Sequence, residues 1–264
     1  MPEPFGGVAV VITGGASGIG RATAQAFVAA GAHAVLVDCD AELLDATAAA
    51  LERATPVHGD VSRMQDCQAA AAAAEATGLP VRALVSCAVT FLFKGEDATP
   101  QDWDASLGVN VKGMAMMASC VAPLLRTAGG GAIVNIASIS AHIAQPNRWT
   151  YNATKGAVLT LTRCQALDLA SDGIRVNSIS PGVIWTPQLD RMTGGDRQTW
   201  GPIFGEHHML GRVGEPEEVA SAILFLCGDG ASFITGADLP VDGGYLAMGH
   251  DRTETAHLTS EQPR

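Results

Sequence analysis

A short apolar run, Val8-Ala-Val-Val-Ile12, ends in Thr13-Gly-Gly-Ala-Ser-Gly-Ile-Gly20, and a stretch of helical apolar spacing follows up to Gly31. A second β-branched run, His33-Ala-Val-Leu-Val37, then ends in Asp38. Strand, glycine turn, helix and strand in that order form a βαβ unit, which commits a chain to a parallel sheet with helices on its faces. The glycine spacing is Gly14-x-x-x-Gly18-x-Gly20, which departs from the commoner Gly-x-Gly-x-x-Gly. Its chemistry is the same. Small residues between a strand and a helix let backbone approach a pyrophosphate lying on the helix N-terminus, where free N–H groups and the helix dipole favour anions. An acid closing the second strand suits the adenosine ribose hydroxyls, and Asp38 stands there. A tight turn plus a surface aspartate is the blander account, and the strand–turn–helix placement argues against it. A carboxylate at Asp38 would repel a 2'-phosphate, and positions 15, 16, 39 and 40 hold no Arg or Lys to receive one. NAD is therefore expected over NADP.

The alternation continues along the chain. Helices are expected near 41–53, 62–76, 101–126 and 152–170, and strands at 55–58, 81–88, 132–137 and 174–180. The pattern predicts an α/β fold, a Rossmann-type doubly wound parallel sheet with helices on both faces. No linker divides the 264 residues, so residues 1–249 are read as one dinucleotide-binding domain and 250–264 as a polar tail. The alanine-rich run 69–74 needs nothing beyond helix propensity.

One stretch carries chemistry. Tyr151 and Lys155 are four apart in a segment of helical periodicity, so phenol and ammonium share a helix face. A free tyrosine has a pKa of about 10, and a tyrosine base near neutrality needs roughly 4 kcal/mol of stabilisation of its anion. A neighbouring ammonium has the right sign to supply it. Ser138 follows the strand-like run Ala132-Ile-Val-Asn-Ile-Ala137, placing a hydroxyl at the carboxyl end of a strand, where open α/β sheets bind ligands. In isolation a Tyr and a Lys four apart on a helix are more often a solvated face than a catalytic pair. The surrounding motifs decide for chemistry.

Composition removes other classes. A formal net charge of -11 argues against nucleic acid, whose phosphates need clustered Lys and Arg, and against an acidic carrier protein. Six cysteines, at 39, 67, 87, 120, 164 and 227, show no metal-type spacing and read as reduced thiols of a cytoplasmic protein. No metal site is expected. The first residues lack the regions of a signal peptide, and no apolar run is expected to approach a membrane span.

With these motifs in order, Thr13 to Gly20, Asp60-Val61, Asn110, Ser138, Tyr151-x-x-x-Lys155 and Pro181-Gly182, the chain resembles the short-chain dehydrogenase/reductase family over about Gly7 to Leu246. The resemblance implies a seven-stranded parallel sheet with its last strand near Asp238–Val241, and a homotetramer or homodimer. It implies that Tyr151 exchanges the alcohol proton while hydride passes between substrate and nicotinamide. Lys155 would lower the Tyr151 pKa and bind the nicotinamide ribose, Ser138 would hold the substrate oxygen, and Asn110 would hold a water that links Lys155 to solvent. It assigns to the cofactor Gly14, Ser17, Gly18, Ile19 and Gly20 from the turn, with Asp38, Asp60, Val61 and Ala88 toward the adenosine. Pro181, Val183, Ile184 and Thr186 would position the carboxamide and pyrophosphate, beside Tyr151 and Lys155. In one place the chain departs from the family. Ser86-Cys87-Ala88-Val89 stands where Asn-Asn-Ala-Gly is usual, so Ser86 can make only part of the expected hydrogen bonds and Val89 disfavours positive φ. A shifted backbone or weaker cofactor binding is expected there, with Cys87 as a small buried packing residue.

Substrate identity rests on the variable parts. Residues 185–212 contain Pro187, Gly194-Gly195, Gly201 and Pro202, too irregular for one helix, and are expected to form a mobile lid. Within it Trp185, Arg191, Arg197, Trp200, Phe204, His207, His208 and Met209 are candidates to face substrate. His142, Gln145, Asn147, Arg148 and Trp149 add polar groups near the Tyr151 pair. His142, Gln145, Arg148, Trp185, Trp200 and His208 are taken forward as substrate residues. A small polyhydroxy compound, a sugar, polyol or sugar acid, is the expected substrate. The alternatives are a hydrophobic ketone, steroid, aromatic diol or 3-oxoacyl thioester, and a catalytically inactive dinucleotide-binding protein.

Overall fold

A computed structural model of the chain describes residues 3–249; the expected tail, 250–264, lies outside them. Seven parallel strands form one sheet in the order β3-β2-β1-β4-β5-β6-β7. They are β1 (Ala9–Thr13), β2 (His33–Asp38), β3 (Ala54–His58), β4 (Val81–Ser86), β5 (Gly131–Ile136), β6 (Ile174–Pro181) and β7 (Asp238–Val241). The order reverses between β1 and β4, which opens a crevice at their carboxyl ends. The central strands are continuous apolar runs buried on both faces, as a covered parallel sheet requires.

Two apolar layers fill the space between sheet and helices. On one face α1 (Gly18–Ala29) and α9 (Pro216–Cys227) press Ala24, Phe27, Val219 and Ile223 onto Val10, Ile12 and Val85. On the other, α3 (Met64–Ala76) and α5 (Met114–Thr127) press Cys67, Ala70, Met117 and Val121 onto Val11, Val35 and Leu84. The helices α2 (Ala41–Ala49), α4 (Pro100–Leu107) and α6 (Trp149–Leu169) complete the layers. The region expected to be a lid forms two short helices, α7 (Pro187–Met192) and α8 (Arg197–Gly205), separated at Gly194 and Gly195 by left-handed backbone.

Two expectations are corrected. The helix expected over 101–126 is not one regular helix: between α4 and α5 lies a π-helical segment, Gly108–Gly113, centred on Asn110. Together α4, the π segment and α5 also form a stretch, Pro100–Thr127, that is long and apolar enough to cross a membrane by length and composition, with a mean hydropathy of 1.3 over its most apolar window. That apolarity has a packing use here, because Met114, Met117, Val121 and Leu125 are buried in the protein interior.

Candidate active site

The crevice at the reversal of strand order is a cavity of 680 Å³, within the size range of cofactor and substrate sites. Its inner end is made by the glycine turn. Gly14 has φ +67°, and a Cβ there would lie 2.8 Å from the Ala88 nitrogen. A Cβ at Gly20 would come within 2.0 Å of the Gly14 carbonyl oxygen, so the turn closes only with glycine at both places. Ser17 enters α1 in extended conformation but makes no side-chain cap, and no acid stands in the first turn of the helix. The N–H groups that a cap would satisfy are left to a ligand at the cavity wall formed by Ser17, Gly18, Ile19 and Gly20. This arrangement fits the pyrophosphate of a dinucleotide.

At the end of β2 the Asp38 carboxylate is fixed by two backbone donors, the Ala16 N–H at 3.1 Å and the Asp40 N–H at 3.1 Å. Asp60 is held similarly, accepting from the Ser62 N–H at 2.8 Å, and Val61 packs beside it. Ala88, whose N–H donates to Thr13 Oγ1 at 3.1 Å, joins the wall between β1 and β4. Pro181, Val183, Ile184 and Thr186 line the far side. All fifteen residues expected at the cofactor thus border one cavity.

The departure at Ser86 to Val89 has a visible cost. Ser86 Oγ is buried without a hydrogen-bond partner. Val89 does not adopt positive φ, so the loop takes a course that needs no glycine. Cys87, expected as a small buried packing residue, packs partly buried against the core and borders the cavity, and desolvation pushes its thiol up to about 12. A thiol in that state is a poor nucleophile.

Tyr151 and Lys155 project from the first two turns of α6 into the same cavity, and both are buried. Phe91 stacks on the Tyr151 ring at 5.6 Å between centroids, and Phe93 meets it edge-on at 5.3 Å. These aromatic walls remove water from the phenol. Burial therefore pushes the Tyr151 pKa up to about 12, with a hydrogen bond from Ser138 and the Arg148 charge pulling the other way. Lys155 donates to the Ile136 carbonyl at 2.7 Å, and its burial brings the ammonium down to about 8. In the ligand-free pocket burial thus opposes the charged form of each group, raising the phenol and lowering the ammonium.

Asn110 does not line the cavity. It is buried, and its side chain is engaged by protein: Oδ1 accepts from the Thr90 N–H at 2.8 Å, while Nδ2 donates to the Thr90 carbonyl at 3.2 Å and to Thr154 Oγ1 at 3.1 Å. Its amide fastens the loop after β4 to α6, and both amide hydrogens are used.

Of the six substrate candidates, Gln145 and Arg148 line the cavity; Gln145 Oε1 accepts from Ser140 Oγ at 2.6 Å. The other four do not line it. His142 Nε2 is held by the Asp238 carboxylate at 3.0 Å and by Ser180 Oγ at 3.2 Å, which turns it toward β7. Trp185 is covered by the Arg197 guanidinium, 5.0 Å from its ring, and its indole N–H donates to Asp190. Trp200 stacks on Phe204 at 5.7 Å. His208 is buried as a strut: the Val183 N–H donates to Nε2 at 3.2 Å, so the ring hydrogen sits on Nδ1, 2.9 Å from the Phe204 carbonyl. From the lid, Arg191, Phe204 and His207 reach the cavity, whereas Arg197 and Met209 do not.

Phe91, Phe93 and Tyr245 line the cavity without having been singled out in the sequence. A signal for the two phenylalanines existed. They follow the carboxyl end of β4, and in a parallel sheet the segments after each strand face the ligand.

The comparisons agree with this geometry. Residues 14–246 match a family model described as enoyl-(acyl carrier protein) reductase. The chain belongs to the short-chain dehydrogenase/reductase family. It is 38% identical over 244 residues to D-threitol dehydrogenase of Mycolicibacterium smegmatis, covering 90% of this chain and 93% of that protein. It is 39% identical over 257 residues to cis-4-hydroxycyclohexanecarboxylate dehydrogenase of Sinomonas cyclohexanicum, covering 94% and 100%. The crystal structure of L-sorbose reductase from Gluconobacter frateurii, complexed with NADPH and L-sorbose, superposes with a TM-score of 0.87 at 32% identity, covering 94% of this chain and all of that one. An oxidoreductase acting on alcohol-type substrates with a dinucleotide cofactor follows for this family member.

Proposed function

We propose that this protein is an NAD-dependent dehydrogenase that interconverts a secondary alcohol and a ketone in a small polyhydroxy compound, with Tyr151 as the proton carrier. The observation that carries this reading is the phenol of Tyr151, buried beside Ser138 in the cavity that the glycine turn closes. The cofactor supplies a hydride acceptor and, when oxidised, a positively charged ring. In a pocket whose burial disfavours the phenolate, such a ring would favour it. Tyr151 takes the alcohol proton, and Ser138 steadies the charge on the substrate oxygen. Lys155 would hold the nicotinamide ribose. A water serving Lys155 would be held by the main chain of the π segment, since the Asn110 amide hydrogens are taken.

Asp38 supports NAD. Its carboxylate is held rigidly at the cavity wall, and a 2'-phosphate would have to approach that charge without an arginine or lysine in the adjoining turn. The sorbose reductase structure contains NADPH; that choice need not extend to a chain with this aspartate. Ser140, Gln145 and Gln188 give the substrate end hydrogen-bonding groups suited to hydroxyls. A second reading, a cyclic or aromatic alcohol, draws on Phe91, Phe93, Leu189 and Met192 in the same wall.

The test is a screen of the purified protein against polyols, sugars, sugar acids and alicyclic alcohols, following nicotinamide absorbance with NAD and with NADP. Turnover of polyhydroxy compounds with NAD preferred is expected. Preference for NADP defeats the Asp38 argument, and turnover confined to apolar alcohols moves the substrate to the second reading.

A further inference from the structure

The charges lining the cavity are segregated. Its two carboxylates, Asp38 and Asp60, both lie at the adenosine end, the first closing β2 and the second following β3. The substrate end, beyond Tyr151, has no carboxylate in its wall and holds two guanidinium groups, Arg148 and Arg191. In a chain of net charge -11 this local excess of positive charge runs against the average.

Arg148 is the better placed of the two. Its guanidinium lies 4.1 Å from the centroid of the Phe93 ring, and that ring in turn meets Tyr151 edge-on at 5.3 Å. Arg191 is exposed and donates to Gln188 Oε1 at 2.8 Å. Arg148 is half-buried, and among the described residues no carboxylate is paired with it. Withdrawing a cation from water without a counter-charge is costly, and stacking on one phenylalanine offsets only part of that cost. The backbone is built to hold it there. Asn147, the residue before it, has φ +55°, the one non-glycine position in the described chain with left-handed backbone. Gly95 makes room for this turn, since a Cβ there would lie 3.1 Å from Asn147 Oδ1. A strained turn that carries an unpaired arginine to the wall beside the phenol is an arrangement a ligand can complete.

We infer that Arg148 is a carboxylate-recognition residue, so that the substrate is a hydroxy acid whose carboxylate pairs with this guanidinium while its carbinol meets Tyr151. This rests on the dehydrogenase reading for the carbinol and narrows the polyhydroxy class to its acids. With Phe93 fixing the plane of the guanidinium, its N–H edge is free to take a carboxylate in the bidentate manner arginine favours. Such a pair discriminates sharply against a neutral group of the same shape, because the neutral group leaves the half-buried charge unmatched.

The test does not require turnover. Cyclohexanecarboxylate and cyclohexanecarboxamide, alike in shape and lacking a reactive carbinol, are titrated calorimetrically into the intact protein saturated with NAD. The carboxylate is expected to bind tighter than the amide by about tenfold or more, a typical advantage for a charge-assisted bidentate pair. The advantage should vanish in Arg148→Gln and be partly kept in Arg148→Lys. Equal affinity of the two probes, binding of neither, or an advantage that survives in Arg148→Gln overturns the inference. The dehydrogenase reading is judged separately: oxidation of neutral polyols in the screen above would uphold it even where the carboxylate probe shows no preference.

Discussion

The side-chain amide of Asn110 clasps the peptide of Thr90 from both sides, accepting from its N–H at 2.8 Å and donating to its carbonyl at 3.2 Å. The residues are 20 apart in sequence. The clasp fixes the segment leaving β4 that carries Phe91 and Phe93 to the Tyr151 ring, and it sits in the π segment of the long helix. A π turn at a site of this kind is a local irregularity that re-aims a side chain.

Asn110→Ala should therefore do more than remove one side chain. It leaves the Thr90 N–H and carbonyl and the Thr154 hydroxyl short of a partner, at a cost to folding of about 3 kcal/mol. It also frees the loop that borders the cofactor cavity. Urea denaturation and a dinucleotide titration should show lower stability together with weaker binding. A variant as stable as the parent would remove Asn110 from this role.

Lys155 makes the folded protein pay for a buried charge. Its folded pKa, about 8, lies below the unfolded value of 10.5. The penalty for charging it is fully present below pH 8 and fades as the pH rises from about 8 to 10.5. It corresponds to about 3 kcal/mol. Lys155→Met, which still fills the space, should be more stable than the parent at pH 7 in the ligand-free state by about 1–3 kcal/mol, once the lost bond to Ile136 is allowed for. The gap should close toward pH 10. Denaturation curves at pH 7 and pH 10 check this; a variant less stable at pH 7, with no dependence on pH, would contradict it.

His208 has a consequence of the same sign in a more acidic window. Burial holds its pKa below 6.5, and its unprotonated Nε2 accepts from the Val183 N–H. Stability from this neutral ring is present above pH 6.5 and is lost as the pH falls through the lower folded value. The parent should lose more stability between pH 7 and pH 5 than His208→Gln, and its dinucleotide affinity should fall with it, because Val183 lines the cavity. Parallel acid profiles for the two proteins would count against the strut.

Much of this architecture could be read in the sequence because its causes are local. The turn at Gly14 and Gly20 needs glycine for steric reasons, the buried strands are uninterrupted β-branched runs, and β7 falls at Asp238–Val241 as the family resemblance implied. The π segment could not be read. Asn110 is drawn out of regular helix beside Thr90 and Thr154, and Thr154 is 44 residues away. The substrate end was legible only in part for a related reason. Gln145 and Arg148 lie close in sequence to Tyr151 and share its wall, whereas Trp185, Trp200 and His208 belong to a region whose side chains were claimed by Arg197, Phe204 and Val183. His142 was claimed by Asp238, 96 residues away. The burial of Tyr151 and Lys155 was not legible either, because spacing shows that two groups are near and says nothing of the water removed around them.

The most direct measurement replaces one atom. In Tyr151→Phe the ring keeps its contacts with Phe91 and Phe93 but has no hydroxyl to give or take a proton. Single-turnover hydride transfer, measured beside a dinucleotide titration on the same protein, should show a rate lower by about a thousandfold or more with cofactor affinity nearly unchanged. Hydride transfer at close to the parent rate in that variant would contradict the account.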